Sequence, residues 1–304
     1  MRVLGTALAA MTAWAGFAMP VLAQEQQTLG YGRLFTNDLL GDGQDRWRSG
    51  SYSFSVVRGR SWDGAPTSQF GGLLEYRLRT EIIAPLRGTG PLGDRPYVGA
   101  ISLGLHSHTA LGPTELSVGA DLVLTGPQTG VSEFQNWYHE TFSLPNPPGT
   151  ENQLGNAAYA AGTAQLVWPV RISDTLTLRP FVELQSGVED LVRVGGDVVI
   201  GGVGQQDLLL RDVTTGQLYR GIEGPQTGFG YVVGADFTQV KSSVYLPESM
   251  GYFPQEDRIR ARAGVHWQLA PQTSFFYGMT WLSPEFEGQP EGQLLGSVKL
   301  NFNF

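Results

Sequence analysis

Residues 130–142 read Gly-Val-Ser-Glu-Phe-Gln-Asn-Trp-Tyr-His-Glu-Thr-Phe. Phe134, Tyr138 and Phe142 recur every four residues, which predicts a short helix near 131–142. Gln135 and His139 stand at i and i+4, so both project to one side of it. Imidazole titrates near neutrality, and a His on a helix that meets lipid is a candidate general base. A lone surface His on an amphipathic interfacial helix gives the same pattern, and from the helix alone it is the favoured reading. A second segment, 35–49, is dense in oxygen donors: Asn37, Asp38, Asp42, Asp45 and Ser49. Hard cations such as Ca²⁺ take such ligands. Asp42-Gly43 equally marks a plain turn, and the spacing of an EF-hand is absent.

Other chemistries find less support. His106 and His108 share one face of a strand and could share a metal, but a polar lumen face explains them more simply; His266 reads the same way. Arg258, Arg260 and Arg262 fit as partners of buried carboxylates. No G-x-S-x-G elbow, phosphate loop or dinucleotide fingerprint occurs. The chain of 304 residues has no cysteine, which excludes disulfides, thiol catalysis and Cys-ligated zinc or iron–sulfur sites. Its 20 Lys+Arg against 28 Asp+Glu argue against a nucleic-acid partner. A 41% share of hydrophobic residues argues against disorder.

The elements that would carry these residues alternate with period two. Leu74, Tyr76, Leu78, Thr80 and Ile82 interleave with Glu75, Arg77, Arg79 and Glu81. One face is apolar and the other fully charged. Ile259, Ala261, Ala263, Val265 and Trp267 oppose Arg258, Arg260, Arg262 and His266 in the same way. A soluble sandwich would turn the apolar face to a core; an outer-membrane barrel turns it to lipid and the charged face to the lumen. Such segments lie near 27–36, 50–60, 71–84, 96–109, 114–125, 157–170, 174–188, 190–201, 228–241, 257–269, 272–284 and 293–304. This gives an all-β fold, a transmembrane antiparallel β-barrel of about twelve strands with a short extracellular helix. Twelve is even, the strands have bilayer-spanning length, and Phe304 ends the chain in phase with the last of them. With a periplasmic N-terminus, the extracellular segments are 37–49, 85–95 and 126–156. The segment 202–227 then becomes a long periplasmic connection, where turns are ordinarily short, and the pattern gives no reason for its length.

At the N-terminus, Arg2 precedes an apolar run from Leu4 to Ala23 that ends Pro20-Val21-Leu22-Ala23. This reads as a signal peptide over 1–23, leaving 24–304 as a single barrel domain. A membrane anchor of the same length is the competing reading.

Four patches, in order, resemble the outer-membrane lipid A 3′-O-deacylase family (LpxR-type). Asn37-Asp38 matches its Asn-Asp at the end of the first strand. Asp45-Arg46-Trp47-Arg48-Ser49-Gly50 is similar to its Asp-Arg-x-Tyr-Thr-x-Gly, and Gly93-Asp94-Arg95-Pro96-Tyr97 to its Asp-Arg-Pro-Tyr. Gly126-Pro127, Gly130, Gln135 and His139 follow its Gly-Pro…Gly…Gln-x-x-x-His. The resemblance implies a twelve-stranded barrel in the bacterial outer membrane, expected as a monomer. It implies a carboxylic ester hydrolase that removes the 3′-linked acyl or acyloxyacyl chain of lipopolysaccharide with Ca²⁺. His139 would deprotonate water, Asn37 and Asp38 would hold the Ca²⁺, and Gln135 would position His139 or the substrate. Ser49 would keep the hydroxyl of the family's Thr, and Arg87 and Arg95 would meet sugar phosphates. The sequence departs from the pattern at three places. The family often has an acidic residue about six positions after its His, where this chain has Ser143-Leu144-Pro145-Asn146. Its Gly-Trp-x-x-Gln-Leu appears as Gly149-Thr150-Glu151-Asn152-Gln153-Leu154, and Arg48 replaces its Tyr. An outer-leaflet phospholipase, or a barrel that kept the fold as a small channel or structural protein, are the alternatives.

Overall fold

A computed structural model describes residues 26–87, 94–271 and 273–302. The expected signal peptide, Gly93 and the terminal Phe304 lie outside these. Among the described residues the chain forms β1 (Gln27–Asn37), β2 (Trp47–Gly59), β3 (Leu73–Ala84), β4 (Val98–Leu111) and β5 (Thr114–Thr125). The helix α1 (Val131–Thr141) follows, then β6 (Ala157–Val167), β7 (Val170–Ser173), β8 (Leu176–Ser186) and β9 (Glu189–Gly201). A short hairpin comes next, β10 (Leu208–Arg211) and β11 (Leu218–Ile222). The chain ends with β12 (Gly228–Ser243), β13 (Asp257–Ala270), β14 (Thr273–Leu282) and β15 (Gln293–Phe302).

Twelve of these strands form one closed antiparallel wall. Neighbours in sequence pair throughout, β6 pairs β8, β9 pairs β12 across the hairpin, and β1 pairs β15. The expected strand over 157–170 stops at Val167. Pro169 has no N–H to give a ladder, and the short β7 beyond it folds back onto β8. Among the described residues the closing seam is thin, with β1 and β15 in register through Phe35↔Val298, Thr36↔Ser297 and Asn37↔Gly296. No helix among the described residues is long and apolar enough to cross a membrane.

The period-two pattern decides which way each side chain faces. Leu78, Leu103, Leu105, Leu122, Phe237 and Ile259 are exposed on the outside of the wall. Glu75, Arg79, Glu81, Asp197, Asp236, Arg260 and Arg262 are buried inside it. Charges confined in a lumen must find partners, because an unpaired buried charge costs several kcal/mol. They do so as a lattice. Arg260 Nε lies 2.9 Å from Asp236 Oδ1, and Arg262 Nη2 lies 2.7 Å from Asp197 Oδ1. Arg258 Nη1 reaches Glu189 at 3.2 Å, and Arg193 pairs with Glu183. The three arginines of β13 thus meet lumen carboxylates, as the sequence suggests. His108 Nε2 lies 2.9 Å from Glu75 and His106 Nε2 3.1 Å from Asp121. His266 faces the Leu218 carbonyl at 3.0 Å. All three histidines belong to the lumen lattice.

The segment 202–227 has a physical reason after all: it folds back into the lumen. Its hairpin β10–β11 bonds to the wall on several sides. Ser53 donates to Asp212 (3.1 Å), Thr214 to Glu81 (2.8 Å), and Arg211 to Asp197 (2.7 Å). Arg260 donates to the carbonyls of Val213 and Thr214, Gln217 to that of Met279, and Lys299 to that of Arg220. Arg211 lies 3.7 Å above the Phe181 ring. Leu208, Leu210, Tyr219 and Ile222 pack with Leu34, Val57, Leu73 and Phe276 of the wall. The hairpin is therefore a plug, too short to span a bilayer and long enough to fill a barrel.

Replacing residues 205–223 by a short Gly/Ser turn leaves several of these buried charges with fewer partners. The unfolding temperature should fall by roughly 10 °C, since each broken buried pair costs about 3–5 kcal/mol. Planar bilayers should show an ion conductance that the intact protein lacks. A variant with unchanged stability and no conductance would show that the hairpin neither braces nor fills the barrel.

Candidate functional site

The helix α1 docks on the outside of the wall. Along β4, Gly99 shares the outward face with Leu103 and Leu105, whereas Ala100, Ser102 and His106 face inward. A Cβ at Gly99 would come within 2.8 Å of the Val131 Cβ, so the absence of a side chain there is what lets the helix reach the wall. Glycine at 130 starts the helix in the left-handed region (φ 66°), a conformation other residues adopt at a cost. Val131, Ser132, Gln135 and His139 form the buried face.

Two loops clamp that face. In the segment after α1, Leu154 N–H donates to the Tyr97 carbonyl at 2.9 Å, and Gln153 Nε2 donates to Ser132 Oγ at 3.0 Å. Pro145, six residues after His139, carries no carboxylate, yet its backbone carbonyl lies 2.5 Å from His139 Nδ1. A carbonyl can only accept, so Nδ1 carries the proton and Nε2 is the basic nitrogen. Nε2 lies 3.8 Å from Asp45 Oδ2, too long for a direct hydrogen bond. Arg87 ties both sides of this cleft. Its Nη2 donates to Asp45 Oδ2 at 2.7 Å and its Nη1 to the Asn146 carbonyl at 2.7 Å. Its side chain keeps 38% exposure, which leaves it at the mouth.

Gln135 is fixed from the wall. Tyr97 Oη donates to its Oε1 at 2.8 Å. Burial, with Asp45 and Glu133 nearby, raises the Tyr97 phenol above its ordinary value and keeps it a donor. The amide NH₂ of Gln135 is thereby the group left to donate.

Asn37 and Asp38 stand at the end of β1. Asn37 accepts from Leu39 N–H (2.8 Å) and donates to the Ser49 carbonyl (2.8 Å), so its side chain already joins the first loop to β2. Asp38 is buried and accepts the Arg46 N–H at 2.9 Å. Burial disfavours its carboxylate, the Arg46 N–H offsets part of that cost, and Asp45 and Asp42 add repulsion. The Asp38 carboxyl is pushed up to about 8. Ser49 is the extra residue of a bulge between Arg48 and Gly50, and its buried Oγ has no partner. Among the described residues no three acidic or His side chains converge to hold a metal. The donors present are nonetheless hard oxygens. A buried carboxyl repelled by Asp45 and Asp42, with an unpartnered hydroxyl on the β2 residue that Asn37 bonds, fits a cation that takes its remaining ligands from water and substrate.

The start of β2 is strained to make this arrangement. Trp47 is fully buried with φ 50°, a conformation worth about 1–3 kcal/mol against a bulky residue. Its Nε1 donates to Asp94 (2.8 Å), Arg46 covers its ring at 4.1 Å, and Phe286 packs edge-on.

The structure thus brings together His139, Gln135 and Arg87 on one side, and Asn37, Asp38 and Ser49 on the other, with Asp45 between them. It does not place Arg95 where a sugar phosphate could meet it. Arg95 is fully buried, pairs with Glu285 at 3.1 Å and stacks on Phe286. Three groups escape the sequence reading of the site. Asp45 appears there only as one of several oxygen donors and Tyr97 only as an aromatic in a motif. The Pro145 carbonyl has no side-chain signal at all.

Comparison with known proteins follows the fold and reaches the family. The structure is similar to that of LpxR from Salmonella typhimurium, with a TM-score of 0.73 over 92% of this chain and 100% of that chain, at 14% identity. The beta domain of the Bordetella autotransporter BrkA is a more distant likeness, with a TM-score of 0.44 and 11% identity over 90% of this chain and 99% of that one. No curated protein sequence matches. The family model for outer membrane protein LpxR matches residues 6–304, nearly the whole chain. The chain belongs to the LpxR family of outer membrane proteins.

Proposed function

We propose that this protein is an outer-membrane lipid A ester hydrolase that releases the 3′-linked acyl or acyloxyacyl chain of lipopolysaccharide, with His139 as general base. Family membership supports lipid A deacylation as the reaction class. One observation carries the reading for this chain: the His139–Asp45–Arg87 cluster and Gln135 lie against the outward face of the wall, at Gly99 and Tyr97. A site so placed opens sideways to the leaflet instead of inward to the lumen. The lumen that a channel would need clear holds the hairpin and the ion-pair lattice.

In this mechanism the Pro145 carbonyl holds His139 in the tautomer whose Nε2 takes a proton from water. Nε2 and Asp45 Oδ2, 3.8 Å apart, are both acceptors, and such a water would donate one O–H to each. Asp45 then faces the imidazolium as it forms, and Arg87 holds Asp45 in place. Gln135, fixed by Tyr97, offers its NH₂ group to the ester or the developing oxyanion. Arg87 at the mouth is the cation for a sugar phosphate. Asn37 and Asp38, with the Ser49 hydroxyl, would hold the Ca²⁺, whose contribution when bound is to polarise the ester carbonyl and offset negative charge. The tetrahedral adduct collapses with return of the proton from His139 to the sugar oxygen, releasing the fatty acid.

Mass spectrometry of lipid A from cells expressing the protein should show loss of the 3′ acyl mass. His139→Ala should reduce the rate about 10²–10⁴-fold, the usual worth of a general base. Undiminished deacylation by that variant would eliminate His139 as the base, and release of fatty acid from phospholipids alone would make the protein a phospholipase. The cation is tested without turnover. Ca²⁺ at a hundredfold excess over its dissociation constant should raise the unfolding temperature by about 5 °C or more. Asp38→Asn should remove that rise; an equal rise in the variant would place the cation elsewhere.

A further inference from the structure

The helix that presents His139 has a second face. Phe134, Trp137, Tyr138 and Phe142 stand at i, i+3, i+4 and i+8 and form one stripe. Their exposures are 58%, 57%, 41% and 60%. The rings touch in sequence: Phe134 and Trp137 centroids lie 5.8 Å apart, and Tyr138 and Phe142 lie 4.7 Å apart. Glu133, Asn136 and Glu140 occupy the remaining sector. The helix is therefore three-sided, with a site face, an aromatic face and an acidic face. An aromatic surface of this size turned to water is costly and marks a contact.

Two placements decide what the contact is. The helix rests on the outward face of β4, the same face that carries exposed Leu103 and Leu105. The aromatic stripe thus belongs to the same outer side of the barrel as the wall's exposed apolar residues. The stripe also borders the site face directly: the Tyr138 ring meets the His139 ring at 6.1 Å, edge to face. A long alkyl chain lying along Phe134, Tyr138 and Phe142 ends beside the imidazole. The acidic sector faces away, as it must if one side of the helix is in hydrocarbon and the other at the headgroup level.

We infer that the aromatic face of α1 is seated in the outer leaflet and is the track for the acyl chain whose ester His139 attacks. This rests on the hydrolase reading above and adds to it a determinant of chain-length preference. The stripe packs against the chain's methylenes during turnover and aligns the ester with the imidazole, so long chains are better placed than short ones.

The chain has no cysteine, so single-cysteine variants take a spin label at one place. In vesicles containing lipopolysaccharide, a label at Trp137→Cys should collide with oxygen in preference to a water-soluble nickel chelate, as a label at Leu103→Cys does. A label at Glu140→Cys should show the reverse. A Trp137 label that behaves like the Glu140 label overturns the inference. For turnover, Phe134→Ser with Phe142→Ser should lower the ratio of kcat/KM for long-chain over butanoyl glucosamine esters about tenfold, through loss of two rings of the track. An unchanged ratio, including one in which both substrates slow equally, overturns the track. If the unaltered protein cleaves neither ester, the hydrolase reading fails alone, and the label at 137 still decides whether the stripe lies in lipid.

Discussion

A closed sheet surrounded by hydrocarbon can keep its charges in one place only, its lumen. Every outward position must be apolar, and every backbone group must be paired within the sheet. The alternation of β3 and β13 meets both demands, sending Leu78 and Ile259 outward and Arg79 and Arg260 inward. Guanidiniums gathered in so narrow a space demand carboxylates, and carboxylates demand hydrogen-bond donors. The barrel supplies some from opposite walls and the rest from the returning hairpin, whose Thr214 and Arg211 reach Glu81 and Asp197. A buried ion pair adds little net stability, but the loss of one partner is expensive. The lattice therefore fixes the barrel's shape more than it deepens its stability.

Because the lumen is filled, the groups proposed to react lie elsewhere. They lie on the outer surface, where a gap in the side-chain layer at Gly99 receives a helix. That helix is held by backbone as much as by side chains: the Pro145 carbonyl on His139, the Tyr97 carbonyl on Leu154. A backbone acceptor at residue 145 orients the imidazole but cannot neutralise it. The nearest negative charge is Asp45, on another loop, and Arg87 keeps the two loops together.

Much of this was legible from residues alone. The strand pattern named the barrel because lipid enforces period two strictly, and the i, i+4 spacing of Gln135 and His139 put them on one helix face. Neighbourhood between loops was not legible. Asp45 meets His139 across 94 positions of chain, and no local pattern records such a meeting. Arg95 looked like a surface cation in a loop motif; Glu285 and Phe286, from the far end of the chain, bury it. The segment 202–227 looked like an overlong turn because its strands are shorter than a membrane is thick. The signal was the pair of apolar runs, Leu208–Leu210 and Leu218–Ile222, around Thr214-Thr215-Gly216, with Arg211 and Arg220 among them.

The three-residue seam between β1 and β15 ends at Asn37, and the loop that follows lies against β15. Asp42 N–H donates to the Leu294 carbonyl there, and Gly41 leaves no room for a Cβ beside it. The loop bearing Asp38 and Asp45 is thus built upon the junction of the chain's first strand with its last. Before that junction forms, Asp45 has no fixed position from which to face His139. On the proposed mechanism, competence for lipid hydrolysis is consequently acquired at the moment of closure. On that mechanism a chain whose first and last strands have not yet met is inert toward lipid for a topological reason, with no inhibitor required.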